Sequence, residues 1–260
     1  MGARVDGKVA LVTGATQGIG LAIAETLAAS GASGICISGR NEERGRQAVE
    51  EISALGCPAD FVAAELAEAN APARIIKACT DRFGRIDCLV NAAALTDRAS
   101  LLDADLDIWT KLFDVNARAP FFLMQAAVRA MRKQGTGGSI VNILSMNAHC
   151  GTPELAVYSG AKAALAVLTR NIANAHRFDR IRVNGINVGW ADTPAERVMQ
   201  AATLGLGEGW LEAASASQPF GRLLSAQDVA NLAVFLLSDA SGPMTGALVD
   251  QEQWVVGSRN

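Results

Sequence analysis

The chain has 260 residues, half of them hydrophobic and 19% charged, with a formal net charge of -3. This mild, mixed balance excludes the basic footprint of a nucleic-acid binder and gives no attraction to an anionic membrane. No apolar run approaches the roughly 18 residues of a membrane span. The five cysteines are scattered without a CxxC pair and read as reduced core thiols, and neither histidine has a neighbour at metal-ligand spacing, so no metal is expected. The N-terminal stretch turns polar and glycine-rich too soon for a signal peptide, so a soluble cytoplasmic protein is expected.

Taken in chain order, short apolar runs alternate with longer helix-type runs. "KVALVT" (8–13) predicts a strand, and 18–31 a helix with Ile19, Ile23 and Leu27 on one face and Gly31 at its end. A strand at 34–38 precedes a charged-out helix at 42–55, and a strand at 59–64 precedes a helix over about 71–82. Strands at 87–92 and 139–144 bracket a long helix, roughly 105–133. A helix at 158–177, a strand at 180–188, a helix at 226–237 and the short run 247–250 complete the pattern. Strands that are apolar on both faces are covered on both faces by helices. Repeated βαβ units with right-handed crossovers then give an α/β, Rossmann-type doubly wound parallel sheet. About seven strands are expected, in the order 3-2-1-4-5-6-7, within a single domain over 1–260. Only 191–224 breaks the rhythm, rich in small residues and helical in pieces. An insertion there lies beside the carboxyl ends of the strands, where ligands bind in such sheets, and it reads as a substrate lid.

"TGATQGIG" (13–20) follows the first strand and opens the first helix. Gly14, Gly18 and Gly20 permit a tight turn and close approach to a phosphate, and the helix N-terminus offers free N–H groups to a pyrophosphate. A glycine-rich turn can also serve packing alone, but its place between first strand and first helix points to a dinucleotide. At the end of the second strand an NAD site usually presents an acid to the ribose 2′-hydroxyl. Here Gly39 stands in that place and Arg40 follows, a residue suited to a 2′-phosphate. NADP(H) is the expected cofactor, with NAD as the alternative if Arg40 is only a solvated residue at a helix start.

Tyr158, the only tyrosine, lies four residues before Lys162. On a helix the two share a face. An ammonium there favours the phenolate, and a tyrosine so tuned serves as general base toward an alcohol or general acid toward a ketone. Taken alone the pair is equally open to chance.

These residues together resemble the short-chain dehydrogenase/reductase family in its one-domain branch of about 250 residues, from Lys8 to about Asp250. "TGATQGIG" matches the family's T-G-x-x-x-G-x-G turn, "NAAA" (91–94) its N-N-A-G segment, and "YSGAK" its Y-x-x-x-K. "DVNARAP" supplies Asn116 and "NILSMNA" supplies Ser145 at the matching places. The resemblance implies that Tyr158 transfers the proton, Ser145 hydrogen-bonds the substrate oxygen, Lys162 binds the nicotinamide ribose and lowers the tyrosine pKa, and Asn116 holds a relay water. It further implies cofactor contacts at Gly14, Thr16, Gln17, Gly18, Ile19, Gly20, Arg40, Glu65, Leu66, Asn91, Ala92, Ala93, Tyr158, Lys162, Gly189, Ala191 and Thr193. The chain departs from the pattern at Ala92 and Ala94, at Glu65 where an aspartate is usual, at Val188 for a proline, and at "DQEQ" (250–253) for D-G-G.

The implied function is hydride transfer between a nicotinamide and a secondary alcohol or ketone. Substrate-facing candidates are Ser145, Asn147, His149, Tyr158 and Trp190. The hydrogen-bonding groups after Ser145 favour a sugar, polyol or small hydroxy-ketone over a steroid or fatty-acyl chain. Two other readings stay open: a catalytically idle NADP-binding protein, and a 3-oxoacyl-type ketoreductase. Family members are commonly tetramers, so a homotetramer is expected, with a dimer as fallback.

Overall fold

The computed structural model describes residues 2–257. Its centre is a parallel sheet built from β1 (Val9–Thr13), β2 (Gly34–Gly39), β3 (Ala59–Ala63), β4 (Cys88–Asn91), β5 (Gly138–Ile143), β6 (Ile181–Val188) and a last strand, Leu248–Gln251, in the order 3-2-1-4-5-6-last. The reason is visible in β1. Ala10 and Val12 pack into one layer with Ile23, Leu27, Val229 and Ala233, while Val9 and Leu11 pack into the other with Ile75, Leu123 and Leu165. Side chains alternate across a strand, so an unbroken apolar run needs a helical layer on each side.

One layer holds α1 (Gly18–Ala29) and a late helix, Ala226–Leu237; the other holds α3 (Ala71–Phe83), α5 (Ala119–Gln134) and α6 (Ala156–His176). α2 (Glu42–Ala54) lies between β2 and β3 in sequence and begins with Asn41 accepting from the Arg44 N–H. The doubly wound sheet expected from the pattern is present, and its boundaries differ from the predicted ones by a residue or two.

The predicted long helix at 105–133 is not continuous. α4 (Leu106–Phe113) passes into a π-helical turn, Asp114–Arg118, before α5 begins. The Ala119 N–H bonds to the Asp114 carbonyl. Pro120 then brings no N–H to the place where the Asn116 carbonyl would find its α-helical partner. The register slip therefore falls on the turn that carries Asn116.

The 191–224 excursion is pinned at its base by two short strands. β7 (Ala191–Asp192) pairs in parallel with β8 (Leu224–Ser225). Between them lie α7 (Pro194–Val198), a π-helical turn (Met199–Thr203) and α8 (Trp210–Ala216). Trp210, Ala214 and Leu223 make a small core of their own, and Trp190 lies with its ring 6.2 Å from that of Trp210. The late helix, α9 (Ala226–Leu237), then starts in a full capping box between Ser225 and Asp228, and the last strand is β9 (Leu248–Gln251).

Candidate active site

The carboxyl ends of the strands open on one cavity of about 790 Å³. At one end is the turn between β1 and α1. Gly14 has φ +67°, and a Cβ there would lie 2.6 Å from the Ala93 Cα, so two backbone segments touch with no room for a side chain. A Cβ at Gly20 would lie 2.4 Å from the Gly14 carbonyl oxygen. Thr13 holds this arrangement from the strand side, its hydroxyl accepting from the Ala92 and Ala93 N–H groups at 3.2 and 3.3 Å.

α1 has no side-chain cap at Gln17 and no acidic residue in its first turn. An uncapped N-terminus behind a glycine cradle suits a pyrophosphate, which satisfies the free N–H groups and the positive end of the helix dipole. At the ribose corner a Cβ on Gly39 would meet the Thr16 Cγ2 at 2.6 Å, so the position usually held by an acid is filled from the side. The Arg40 guanidinium beside it is mostly exposed and paired only loosely, 3.7 Å from Glu65. Ala64, Glu65 and Leu66 line the cavity beyond. These residues fit a 2′-phosphorylated dinucleotide.

At the other end stand Ser145, Tyr158 and Lys162, from the end of β5 and the first turns of α6. All three are buried, at 8%, 8% and 2% exposure. The Lys162 Nζ donates to the Ile143 carbonyl at 2.8 Å and sits 5.7 Å from the Tyr158 ring centre. Burial dominates the tyrosine, which is pushed up to about 12; the Ser145 hydroxyl pulls it down and the Glu196 charge pushes it up. The expected depression by Lys162 is therefore not met in the protein alone. Spacing along a helix reports a neighbour, but it does not report that the neighbour is itself desolvated. Burial lowers Lys162 to about 8, so its charge is partly lost where the tyrosine would feel it. A phenol, a hydroxyl and an amine on one cavity wall can exchange a proton with a substrate oxygen.

The lysine makes stability depend on pH. Its folded value of about 8 lies below the ordinary 10.5, so the unfolded chain binds the extra proton between the two. Stability on this account is lowest below pH 8 and rises as pH climbs toward 10.5. Tyr158 and Cys88, both raised by burial, titrate in the opposite sense above their ordinary values. Comparison with Lys162→Met cancels them. Denaturant unfolding is expected to show wild type gaining about 2–3 kcal/mol relative to Lys162→Met between pH 8 and 10.

Nearly every residue expected at the site lines this cavity: Gly14, Thr16, Gln17, Gly18, Ile19, Gly20, Arg40, Glu65, Leu66, Ala92, Ala93, Ser145, Asn147, Tyr158, Lys162, Gly189, Trp190, Ala191 and Thr193. Three do not. The Asn91 side chain turns into the sheet and donates to the Asn142 Oδ1 at 2.7 Å. Asn116 is fully buried, its amide clasping the Leu95 N–H and carbonyl at 3.1 and 2.9 Å. His149 faces the edge of β9, with Nε2 2.9 Å from the Asp250 Oδ1 and 3.2 Å from the Asn187 amide nitrogen. Its ring is engaged by the C-terminal strand rather than by the cavity.

The cavity also takes in residues that the pattern did not single out, among them Arg98, Glu154, Glu196, Gln200 and Glu252. Glu196 had a signal of a misleading kind. "TPAE" (193–196) reads as a helix-start capping box. The Thr193 hydroxyl does accept from the Glu196 N–H at 3.2 Å, but the Glu196 carboxylate accepts from the Trp190 Nε1 at 2.8 Å and from the Gln200 Nε2 at 2.6 Å.

With this geometry in view, comparison with known proteins is specific. A family model described as enoyl-(acyl carrier protein) reductase matches residues 14–251. The chain is 36% identical to a trans-4-hydroxycyclohexanecarboxylate dehydrogenase of Sinomonas cyclohexanicum, over 94% of this chain and 91% of that one. It is 35% identical to a galactitol 2-dehydrogenase of Agrobacterium fabrum, over 90% and 92%. The structure of L-sorbose reductase from Gluconobacter frateurii, complexed with NADPH and L-sorbose, superposes with a TM-score of 0.93 at 28% identity, covering both chains in full.

Proposed function

The chain belongs to the short-chain dehydrogenase/reductase family and is an NAD(P)-dependent oxidoreductase of CH–OH groups, and from that premise we propose that it interconverts a polyol or sugar alcohol with its hydroxy-ketone, using NADP(H) and Tyr158 as the proton-transfer residue. The observation that carries the reading is one cavity with a phosphate-binding turn and Arg40 at one end and Ser145, Tyr158 and Lys162 at the other. Relatives named for galactitol, sorbitol and L-sorbose support the substrate class.

The cofactor, when bound, supplies the hydride acceptor or donor and, oxidised, a positively charged ring. The uncapped start of α1 and the glycine turn hold its pyrophosphate; Arg40 pairs with the 2′-phosphate. Ser145 holds the substrate oxygen beside the Tyr158 hydroxyl. In oxidation Tyr158 takes the carbinol proton, and in reduction it gives one to the ketone oxygen. Lys162 orients the nicotinamide ribose and passes the proton outward. The Asn116 carbonyl, left without an α-helical donor by Pro120, accepts from the water that continues this path. The lid from 191 to 224 closes over the substrate and excludes solvent.

The idle-protein reading has no support in a cavity that gathers all three polar side chains. An acyl-carrier-protein partner would call for a basic cavity mouth; the cavity lining is mixed, with Glu65, Glu154, Glu196 and Glu252 beside Arg40, Arg98 and Lys162. Exposed Leu106, Trp109 and Phe122 on α4 and α5 supply apolar surface for self-association, and a homotetramer is the proposed assembly. Among the described residues no helix is long and apolar enough to cross a membrane, and the proposed location is the cytoplasm.

The cofactor assignment is tested by titrating NADPH and NADH separately and following energy transfer from the tryptophans. NADPH is expected to bind more tightly, and Arg40→Ala to weaken NADPH binding by about 10- to 100-fold, the worth of a hydrogen-bonded charge pair. NADH binding is expected to change little in that variant. Tighter NADH binding by wild type would overturn the NADP assignment.

A further inference from the structure

The half-buried carboxylate of Glu196 lies on the cavity wall with one of its two oxygens unpartnered. Its Oε1 receives two protein donors, from Trp190 and Gln200, while no described residue donates to its Oε2. Gln200 is only 7% exposed and donates one of its two amide hydrogens to Glu196, and no described residue donates to its own Oε1. Both residues line the cavity that contains Tyr158. The wall they form thus offers open acceptors at the Glu196 Oε2 and the Gln200 Oε1, next to one unspent amide hydrogen of Gln200.

Local helix chemistry does not account for the arrangement. At the start of α9, Asp228 in the same third position folds back on Ser225 and completes the capping box. At the start of α7 only half of that exchange occurs, and the Glu196 side chain is drawn toward Trp190 instead. The pull also has a cost, because Glu196 opposes ionisation of Tyr158. A substrate hydroxyl that donates to Glu196 meets the open acceptor.

Resting on the oxidoreductase reading above, we infer that Glu196, seated by Trp190 and Gln200, is a specificity-determining residue: its Oε2 and the Gln200 Oε1 accept from a substrate hydroxyl other than the one being oxidised. The site thereby selects polyhydric alcohols and their hydroxy-ketones over monohydric alcohols. It also disfavours substrates that carry a carboxylate or phosphate near the reacting carbon, since the Glu196 carboxylate would face a like charge.

The test uses the NADP-loaded protein with D-sorbitol, galactitol and meso-erythritol as polyols and 2-butanol and 2-pentanol as monohydric comparators. In Glu196→Ala the ratio of polyol to monohydric kcat/KM is expected to fall by about 10- to 100-fold, the range for a hydrogen bond to a charged group. Glu196→Gln, which keeps an acceptor for Trp190 and loses the charge, is expected to fall between. A second readout is the emission of Trp190, which should change saturably with polyol in wild type and lose that response in Glu196→Ala. A proportional loss for both alcohol classes, or weakened NADPH binding in place of lost discrimination, overturns the inference. So does a wild-type emission change that persists in Glu196→Ala, or the lack of any saturable change. Absence of turnover with every alcohol would instead sink the oxidoreductase reading, with the emission titration still deciding the part played by Glu196.

Discussion

Tyr158→Phe is expected to lower kcat for NADP-dependent alcohol oxidation by about 10²- to 10⁴-fold, the worth of one positioned acid or base. The substitution keeps the ring that packs with Ala99, Leu112 and Val157, so folding should be little disturbed. It removes only the hydroxyl. That hydroxyl sits in a desolvated site that pushes it up to about 12, so in the free protein it is a neutral donor throughout the physiological range. Oxidation requires the other form, and its rate should climb with pH as the bound-state phenol ionises. The slope should vanish in the variant along with the turnover. Steady-state rates in both directions across pH, with circular dichroism to confirm folding, check this. Turnover that survives in Tyr158→Phe would mean that another group moves the proton.

Gly14→Ala is expected to act on stability and cofactor binding together. The residue has φ +67°, where a side chain is strained by about 1 kcal/mol or more. Its Cβ would also press on the Ala93 Cα and N at 2.6 and 2.8 Å, atoms of the backbone that cannot rotate away. Overpacking of this kind costs about 1–3 kcal/mol, so a total near 2–4 kcal/mol is expected from the denaturant midpoint. Because the relaxation must move the floor of the cavity, NADPH binding should fall at least about tenfold as well. Gly56→Ala is the control: φ is +83° but nothing lies within 4 Å of the added Cβ. It should lose only the conformational part and leave NADPH binding intact. Equal losses in the two variants would show that the close approach at Ala93 is not what demands glycine.

Much of this was legible in the sequence because it depends on short-range pattern. Strands such as β1 carry apolar residues to both layers, and that is visible as an unbroken run. The glycine turn and the Tyr158–Lys162 spacing are likewise local. What was hidden depends on long-range geometry or on a single missing hydrogen bond. The apolar pattern runs through 105–133, yet the π-helical turn at Asp114–Arg118 interrupts it, and Pro120 was the one mark of it. β7 and β8 are two residues each, too short to show a period. His149 was expected at the substrate and is held by Asp250, a hundred residues away in the chain. Asn91 is the last residue of β4, paired with Asn142 on β5, and its side chain turns to that neighbour rather than the cavity. Glu196 was not singled out, because the partner that seats it, Trp190, lies on the other side of the β7 strand and meets it only through the fold.

Hydride transfer itself is open to a direct reading. Wild-type protein is incubated with NADP⁺ and a polyol deuterated at every carbinol carbon, and the reduced nicotinamide is recovered for NMR and mass spectrometry. One deuterium on the nicotinamide ring, on a single face, with the carbinol proton released to solvent, is the result expected of this site. Reduced nicotinamide without deuterium, or a cofactor that stays oxidised with every polyol and secondary alcohol offered, would contradict it.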